Sequence, residues 1–205
     1  RLARASEIYS VEEARENGVE LVYVNTSIPG HDAEYLRRLS PGGKGFNDVF
    51  VFAPVRALVE QADRILGHDG CLNFFAGPTD TAFSAEFNFF NVHYAATHVV
   101  GTSGGNTDDM VESLKLMEEG RLNPSTMITH IGGLDAVIDT TLRLPEIPGG
   151  KKLIYNNVRM PLVALSELDT QDGDFFQGLS KIVNKNNGLW CPEAERYVLE
   201  KAPAI

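Results

Sequence analysis

The feature that most constrains the fold is an alternation of apolar strands and helices over residues 46–119. Strand-like runs at 49–53, 71–75 and 98–100 are separated by helical patterns. Strands that are apolar on both faces need cover on both faces, so the pattern predicts a parallel, doubly wound α/β sheet. Ligands of such sheets bind beyond the carboxyl ends of the strands, and we expect a binding site there.

The flanking segments extend this pattern. Weak alternation at 20–25 and an apolar run at 151–155 predict two further strands of the same mostly parallel sheet. From residue 157 the character changes, and amphipathic patterns predict helices at 175–183 and 191–200. We therefore expect a main domain over residues 1–156 and a helical C-terminal extension over 157–205.

Composition excludes several classes of partner. The 205 residues carry a net charge of −10, which disfavours binding to nucleic acid or to an anionic membrane. No apolar run reaches the ~20 residues of a membrane span, and the sequence leads us to expect no signal peptide. The two cysteines, Cys71 and Cys191, predict a disulfide-free, cytoplasmic protein. The chain opens in a helical pattern without an initiator Met, so we expect a fragment whose natural start lies upstream.

Local catalytic motifs do not identify a reaction. The five histidines have no Cys or carboxylate partner at ligand spacing, so no metal site is expected in this chain. There is no nucleophile elbow, no P-loop and no Gly-x-Gly-x-x-Gly turn. The Gly-rich run at 101–105 predicts a turn before a helix that Asn106 or Thr107 caps.

The order of the segments is more specific than any one of them. The chain resembles the second half of the coenzyme domain of zinc-type medium-chain alcohol and polyol dehydrogenases, over residues 1 to about 156. The stretches that carry this resemblance lie at 46–51, 58–66, 70–78, 101–105, 110–114, 120–124, 128–130, 133–136 and 150–154. The run at 42–51 and the tail at 186–190 are most similar to the sorbitol and L-sorbose-1-phosphate reductase branch.

The resemblance implies an NAD- or NADP-dependent oxidoreductase that acts on a sugar alcohol, a ketose or a sugar phosphate. Family members carry a zinc-binding catalytic domain and a Gly-rich pyrophosphate turn upstream, and this sequence contains neither. Zinc is therefore expected only in an intact enzyme, and this chain alone is expected to be inactive. The choice between NAD and NADP and the identity of the sugar stay open.

The resemblance also implies a set of cofactor contacts. The carbonyls of Phe75 and Thr102 and the amide of Gly104 would bond the nicotinamide carboxamide. The other implied cofactor-binding positions are Val51, Phe52 and Ala53 under the cofactor, Asn25 and Thr26 at the adenine, Arg1 at the ribose, and Ala76, Gly77 and Ser103.

The sequence also bears on oligomeric state, and it leaves two alternative protein classes open. Family members commonly pair a sheet edge, so the strand before Gly101 and the aromatic segment 83–94 are expected at the contact of a homodimer or homotetramer. The run at 48–51, a helix that contains 64–66 and the run at 70–72 also resemble the fourth and fifth strands, with the helix between them, of an S-adenosylmethionine-dependent methyltransferase. A non-catalytic nucleotide-binding or interaction module is the third possibility. Ligand-induced stabilisation would separate the three classes.

Overall fold

The computed structural model of the chain describes residues 2–205. The chain forms two compact units, residues 2–110 (unit 1) and Val111–Ile205 (unit 2). No helix among the described residues is long and apolar enough to cross a membrane.

Unit 1 is built on a three-stranded parallel sheet. The strands are β1 (Phe46–Val51), β2 (Leu66–Phe74) and β3 (His98–Gly101), in the order β1-β2-β3. Both neighbouring pairs are parallel. The predicted parallel α/β class is therefore confirmed for the central stretch of the chain.

Helices connect and flank these strands. They are α1 (Leu2–Ile8), α2 (Val11–Glu16), α3 (Ala33–Arg38), α4 (Arg56–Ile65), α5 (Phe89–Tyr94) and α6 (Thr107–Glu118), the last of which contains the boundary between the units. The crossover helix α4 turns Val59 and Ala62 toward Val51 and Leu72 of the sheet, and all four side chains are buried. Burial of this apolar face holds the helix on one side of the sheet.

The turn before β1 is fixed by one arginine and one glycine. The Arg37 guanidinium donates to the carbonyls of Leu66 (2.7 Å) and Lys44 (2.8 Å). Gly45 has φ +96°, and a Cβ there would lie 2.6 Å from the Leu66 carbonyl oxygen. Only glycine fits this close approach, which positions the start of β1 beside the start of β2.

The predicted strand at 20–25 is wrong. Residues 19–25 have no regular structure. The Tyr23 hydroxyl instead donates to the carbonyls of Ala5 (3.1 Å) and Tyr9 (2.8 Å), which ties the segment to the end of α1. A weak alternation of apolar residues makes a strand only where a neighbouring strand supplies hydrogen bonds, and no such ladder forms here among the described residues.

Unit 2 contains a second sheet. Strand β4 (Ile128–Gly133) pairs in parallel with β5 (Lys151–Tyr155) and antiparallel with β6 (Val163–Ala164). The short helix α7 (Val137–Leu142) lies between β4 and β5 along the chain. The prediction that 151–155 belongs to the same sheet as β1–β3 is therefore wrong, because this run pairs with its sequence neighbour β4.

The two predicted C-terminal helices are confirmed as α8 (Asp174–Lys185) and α9 (Pro192–Lys201). Leu179, Val183 and Val198 from these helices are fully buried in one core with Ile131 of β4 and Tyr155 of β5. The residues after 156 thus share a core with the β4–β5 pair. The functional division of the chain at residue 156 stays a prediction.

Candidate functional site

The carboxyl ends of the three parallel strands meet at one edge of the first sheet. Val51 pairs with Phe74, and Phe74 pairs with Gly101, so the three strands end level with one another. The residues that follow are therefore brought together at this edge: Phe52 and Ala53, Phe75 and Ala76, and Thr102. This is the position at which open α/β sheets bind their ligands.

Exposed aromatic rings mark the same edge. The rings of Phe52 and Phe75 lie 5.6 Å apart, and the Phe50 ring lies 6.3 Å from that of Phe52. Phe52 is 72% exposed and Phe75 is 53% exposed. Apolar rings that stay this exposed at a strand end are a surface on which a flat ligand can pack.

The chain after β2 folds over the end of β1. The Val51 carbonyl accepts hydrogen bonds from the Phe75 amide (3.1 Å) and the Ala76 amide (3.0 Å). Ala76 is buried by this turn, whereas a Cβ added at Gly77 would meet nothing within 4 Å. The backbone beyond Ala76 is thus open to close approach by another molecule.

The loop after β3 is shaped by its own hydrogen bonds. The Thr102 hydroxyl donates to the Gly104 carbonyl (3.2 Å), and Gly104 takes φ +77° with open space around it. Ser103 lies between them. The Asn106 side chain accepts from the Asp108 amide (2.7 Å), and the Asp109 carboxylate accepts from the Asn106 amide (2.7 Å). This reciprocal cap starts α6 and confirms Asn106 as the predicted capping residue.

Three backbone groups at this edge are available to a ligand. Outside the strand ladders, no backbone hydrogen bond of the described residues uses the carbonyl of Phe75, the carbonyl of Thr102 or the amide of Gly104. Two acceptors and one donor at a sheet edge match the hydrogen-bonding pattern of a primary carboxamide. The strand register brings Phe75 and Thr102 to the same edge, and the binding role of the three groups stays a prediction.

The remaining predicted contacts are placed differently. Asn25 follows no strand, and its side chain accepts from the Ser27 amide (3.0 Å) in a local turn. Thr26 lines a cavity of about 660 Å³ beside β1, together with Asp48 and Phe50. Arg1 lies outside the described residues. Asn25 therefore lies at no strand end, because the strand predicted at 20–25 does not form.

Sequence reasoning missed one polar group in the sheet. Asn73 is the second-to-last residue of β2, level with Phe50 of β1 and Val100 of β3. Its Oδ1 atom is buried, with no hydrogen-bond partner among the described residues. Buried polar atoms are normally paired, so this one is a candidate for contact with a bound group. The only signal in the sequence was a polar residue inside an apolar strand.

The ion pair of His98 and Asp69 lies away from this edge, whereas the Asp109 carboxylate lies in the loop after β3. His98 and Asp69 form an exposed pair (2.8 Å) at the start of β3, the end opposite to Thr102. The hydrogen bond from His98, followed by its charge, lowers the pKa of the Asp69 carboxyl. Such a pair contributes little to stability because both groups stay in water. The predicted contacts at this edge are backbone groups and aromatic rings, and the Asp109 carboxylate lies in the loop beside them.

Comparison with known proteins places the chain beside sugar-phosphate enzymes. It is 54% identical over 201 residues to Uncharacterized protein YggP of Escherichia coli K12 (97% of this chain, 47% of that protein). It is 52% identical over 203 residues to mannitol-1-phosphate 5-dehydrogenase of Aliivibrio fischeri (98% and 48%). It is 48% identical over 180 residues to L-sorbose 1-phosphate reductase of Klebsiella pneumoniae (87% and 42%). The chain thus spans about half the length of the curated relatives that it matches. No protein-family profile matches it.

Solved structures agree on the fold. The 2R,3R-butanediol dehydrogenase of Bacillus subtilis superposes with a TM-score of 0.58 at 21% identity, over 71% of this chain and 40% of that one. The benzyl alcohol dehydrogenase of Acinetobacter calcoaceticus gives 0.56 at 16% identity, over 70% and 39%. At these identities the likeness shows the fold, and no comparison favours the methyltransferase alternative. The resemblance predicted from the sequence is confirmed: the chain has the Rossmann-type fold of alcohol dehydrogenases and is homologous to part of sugar-phosphate dehydrogenases and reductases.

Proposed function

We propose that this chain is the coenzyme-binding part of an NAD- or NADP-dependent oxidoreductase that acts on a sugar alcohol, a ketose or a sugar phosphate. One observation carries the proposal: three parallel strands end level at one edge, and the segments that follow two of them contain the Phe75 and Thr102 carbonyls and the Gly104 amide, which no backbone hydrogen bond of the described residues uses outside the strand ladders. Homology to a mannitol-1-phosphate dehydrogenase and an L-sorbose 1-phosphate reductase supplies the substrate class.

The residues of the edge suit the nicotinamide half of the cofactor. The two carbonyls would accept from the carboxamide NH₂ group, and the Gly104 amide would donate to its oxygen. The exposed Phe52 and Phe75 rings would pack on the flat ring and exclude water from one side. The bound cofactor supplies the hydride chemistry, and this chain's share is to hold and orient its ring. Contacts of Asn25 and Thr26 with the adenine and of Arg1 with the ribose belong to the same proposal.

Zinc does not fit the residues present. Within residues 2–205, no group of three or more His, Cys, Asp or Glu side chains is arranged to hold a metal ion. A zinc site needs three or four such ligands around one point. We therefore propose zinc only for intact enzymes of the kind that the chain resembles. No residue of this chain is proposed as a zinc ligand.

The proposal includes a homodimer or homotetramer that forms through the β3 edge. Val99 and Val100 are about half exposed on this edge strand, and Phe89 and Phe90 of α5 are more exposed still. An apolar edge strand invites pairing with the same strand of a second copy. Light scattering of the intact enzyme tests this, and a monomer at every concentration would contradict it.

The free Cys71 and Cys191 support a place in the cytoplasm, and the net charge of −10 supports the lack of nucleic-acid and membrane partners.

The test of the cofactor site compares the two halves of the cofactor. NADH is expected to bind the chain weakly, with a Kd on the order of 1 mM, because three neutral hydrogen bonds contribute only about 0.5–1.5 kcal/mol each. Saturation-transfer NMR should show that nicotinamide mononucleotide binds about as well as NADH, whereas AMP binds less. Stabilisation by S-adenosylmethionine instead of NADH would refute the assignment.

A matched pair of variants sharpens this test. Gly104→Ala places a side chain at φ +77°, which strains the loop by about 1 kcal/mol and moves the amide. Gly18→Ala imposes the same strain at φ +74°, also in open space, but in the turn after α2. We expect similar losses of stability, with weaker binding of nicotinamide mononucleotide only for Gly104→Ala. Equal binding by both variants would show that the loop after β3 does not contact the ligand.

A further inference from the structure

Unit 2 exposes an apolar stripe made of Leu134, Ile138, Leu142 and Leu144. Their exposed fractions are 46%, 75%, 78% and 50%. Leu134, Ile138 and Leu142 are spaced four residues apart, so they follow one face of α7 and the turn before it. Large side chains exposed together on one helix face are typical of a contact surface.

The stripe is not a product of incomplete packing within unit 2. The opposite side of α7 is packed, since Thr140 is buried. None of the four stripe residues belongs to the core that Ile131, Tyr155 and the C-terminal helices form. Unit 2 therefore closes its own core and leaves the stripe outside it.

The charges beside the stripe disfavour a second copy of this chain as its occupant. The Arg143 guanidinium pairs with Asp139 (3.4 Å) and Glu146 (3.3 Å) of its own segment, which leaves the rim with an excess of negative charge. A symmetric contact would bring the same acidic rims of two copies together. Like charges facing each other oppose association.

The relatives indicate a different occupant. They match this chain over nearly its whole length, whereas more than half of each relative has no counterpart in these 205 residues. We propose that the stripe is the contact surface for a polypeptide like the unmatched portion of these relatives, which presents an apolar surface to α7. This contact does not depend on the proposed cofactor site.

The test uses one substitution in two contexts. A chimera replaces the matched segment of the Aliivibrio fischeri enzyme with this chain, and Leu142→Glu is made in the chimera and in the 205-residue chain. The control is Leu199→Glu, which also changes an exposed leucine on a helix of unit 2. Leu142→Glu should leave the melting temperature of the 205-residue chain unchanged and lower that of the chimera, whereas Leu199→Glu should be neutral in both.

Cysteine accessibility gives a second measurement without cofactor. Alkylation of Leu142→Cys should be at least roughly tenfold slower in the chimera than in the 205-residue chain, whereas Leu199→Cys should react equally in both. If the chimera is insoluble, the 205-residue chain and the unmatched portion of the Aliivibrio fischeri enzyme are produced as separate chains and tested for co-purification. Leu142→Glu is expected to abolish this complex. Equal alkylation, absence of any complex, or a homodimer of this chain that Leu142→Glu disrupts would overturn the proposal.

Discussion

Replacing Tyr155 by phenylalanine tests the polar network that joins the C-terminal helices to β5. The Trp190 indole N–H donates to the Tyr155 hydroxyl (3.2 Å), which donates in turn to the Glu195 carboxylate (3.2 Å). Trp190 is only 4% exposed, so Tyr155→Phe leaves its N–H without an acceptor inside the core. An unsatisfied buried donor costs about 1–3 kcal/mol, and we expect the free energy of unfolding to fall by about 2 kcal/mol.

The assay is urea unfolding followed by fluorescence. Trp190 is the single tryptophan of the chain, so its emission reports on unit 2. Tyr94→Phe is the control, because Tyr94 is 67% exposed and its hydroxyl can bond to water. A midpoint for Tyr155→Phe that equals that of the control would refute the network as a source of stability.

The pH dependence provides a second, independent check. Burial, and then the charge of Glu195, raise the pKa of the Tyr155 hydroxyl above its ordinary value of 10.0. Above about pH 10 the unfolded chain loses this proton while the folded chain keeps it, so the contribution to stability declines as the pH rises. The difference in unfolding free energy between wild type and Tyr155→Phe should therefore shrink between pH 9 and pH 11. A constant difference would contradict the raised pKa.

Three further outcomes follow from single residues. Leu72→Ala should lower the free energy of unfolding of unit 1 by about 2–5 kcal/mol in urea, because the side chain is fully buried under α4. Asn106→Ala should lower the helicity of α6 in amide-exchange or chemical-shift measurements, since loss of such a cap costs about 1 kcal/mol. NMR titration of His130 should give a midpoint below 6.5, because burial and then the charge of Lys152 lower its pKa. The stabilisation that accompanies this depressed pKa is present above pH 6.5 and is lost as the pH falls, because the unfolded chain takes the proton first.

The central sheet could be predicted from the sequence because each of its strands is marked locally. The runs that became β1, β2 and β3 are apolar and end at Gly, Pro or polar residues, and a long amphipathic pattern separates the first two. Parallel topology then follows, since a helix between two strands returns the chain to the same end of the sheet. The parallel topology alone predicts that Ala53, Phe75 and Thr102 lie at one edge of the sheet.

The two wrong strand assignments have a common cause. A run of apolar residues indicates that a strand can form, but its partner is chosen by hydrogen bonds from elsewhere in the chain. Residues 20–25 have no partner strand within residues 2–205 and are instead held through the Tyr23 hydroxyl. Residues 151–155 paired with β4 in the second sheet. No local pattern distinguishes these outcomes from a place in the first sheet.

The candidate site consists largely of backbone groups. This explains why it can be recognised in a chain with low sequence identity to the solved alcohol dehydrogenases. Its carbonyls and amide belong to the backbone, so their placement depends on the strand register and on the turns at Gly77 and Gly104. Side chains at Phe52 or Phe75 can change while those groups stay in place, and the fold persists at 16–21% identity. The hydrogen-bond network of unit 2 depends on side chains instead, because it needs Tyr155, Trp190 and Glu195 in particular. Cofactor binding should therefore tolerate Phe75→Leu better than stability tolerates Tyr155→Phe.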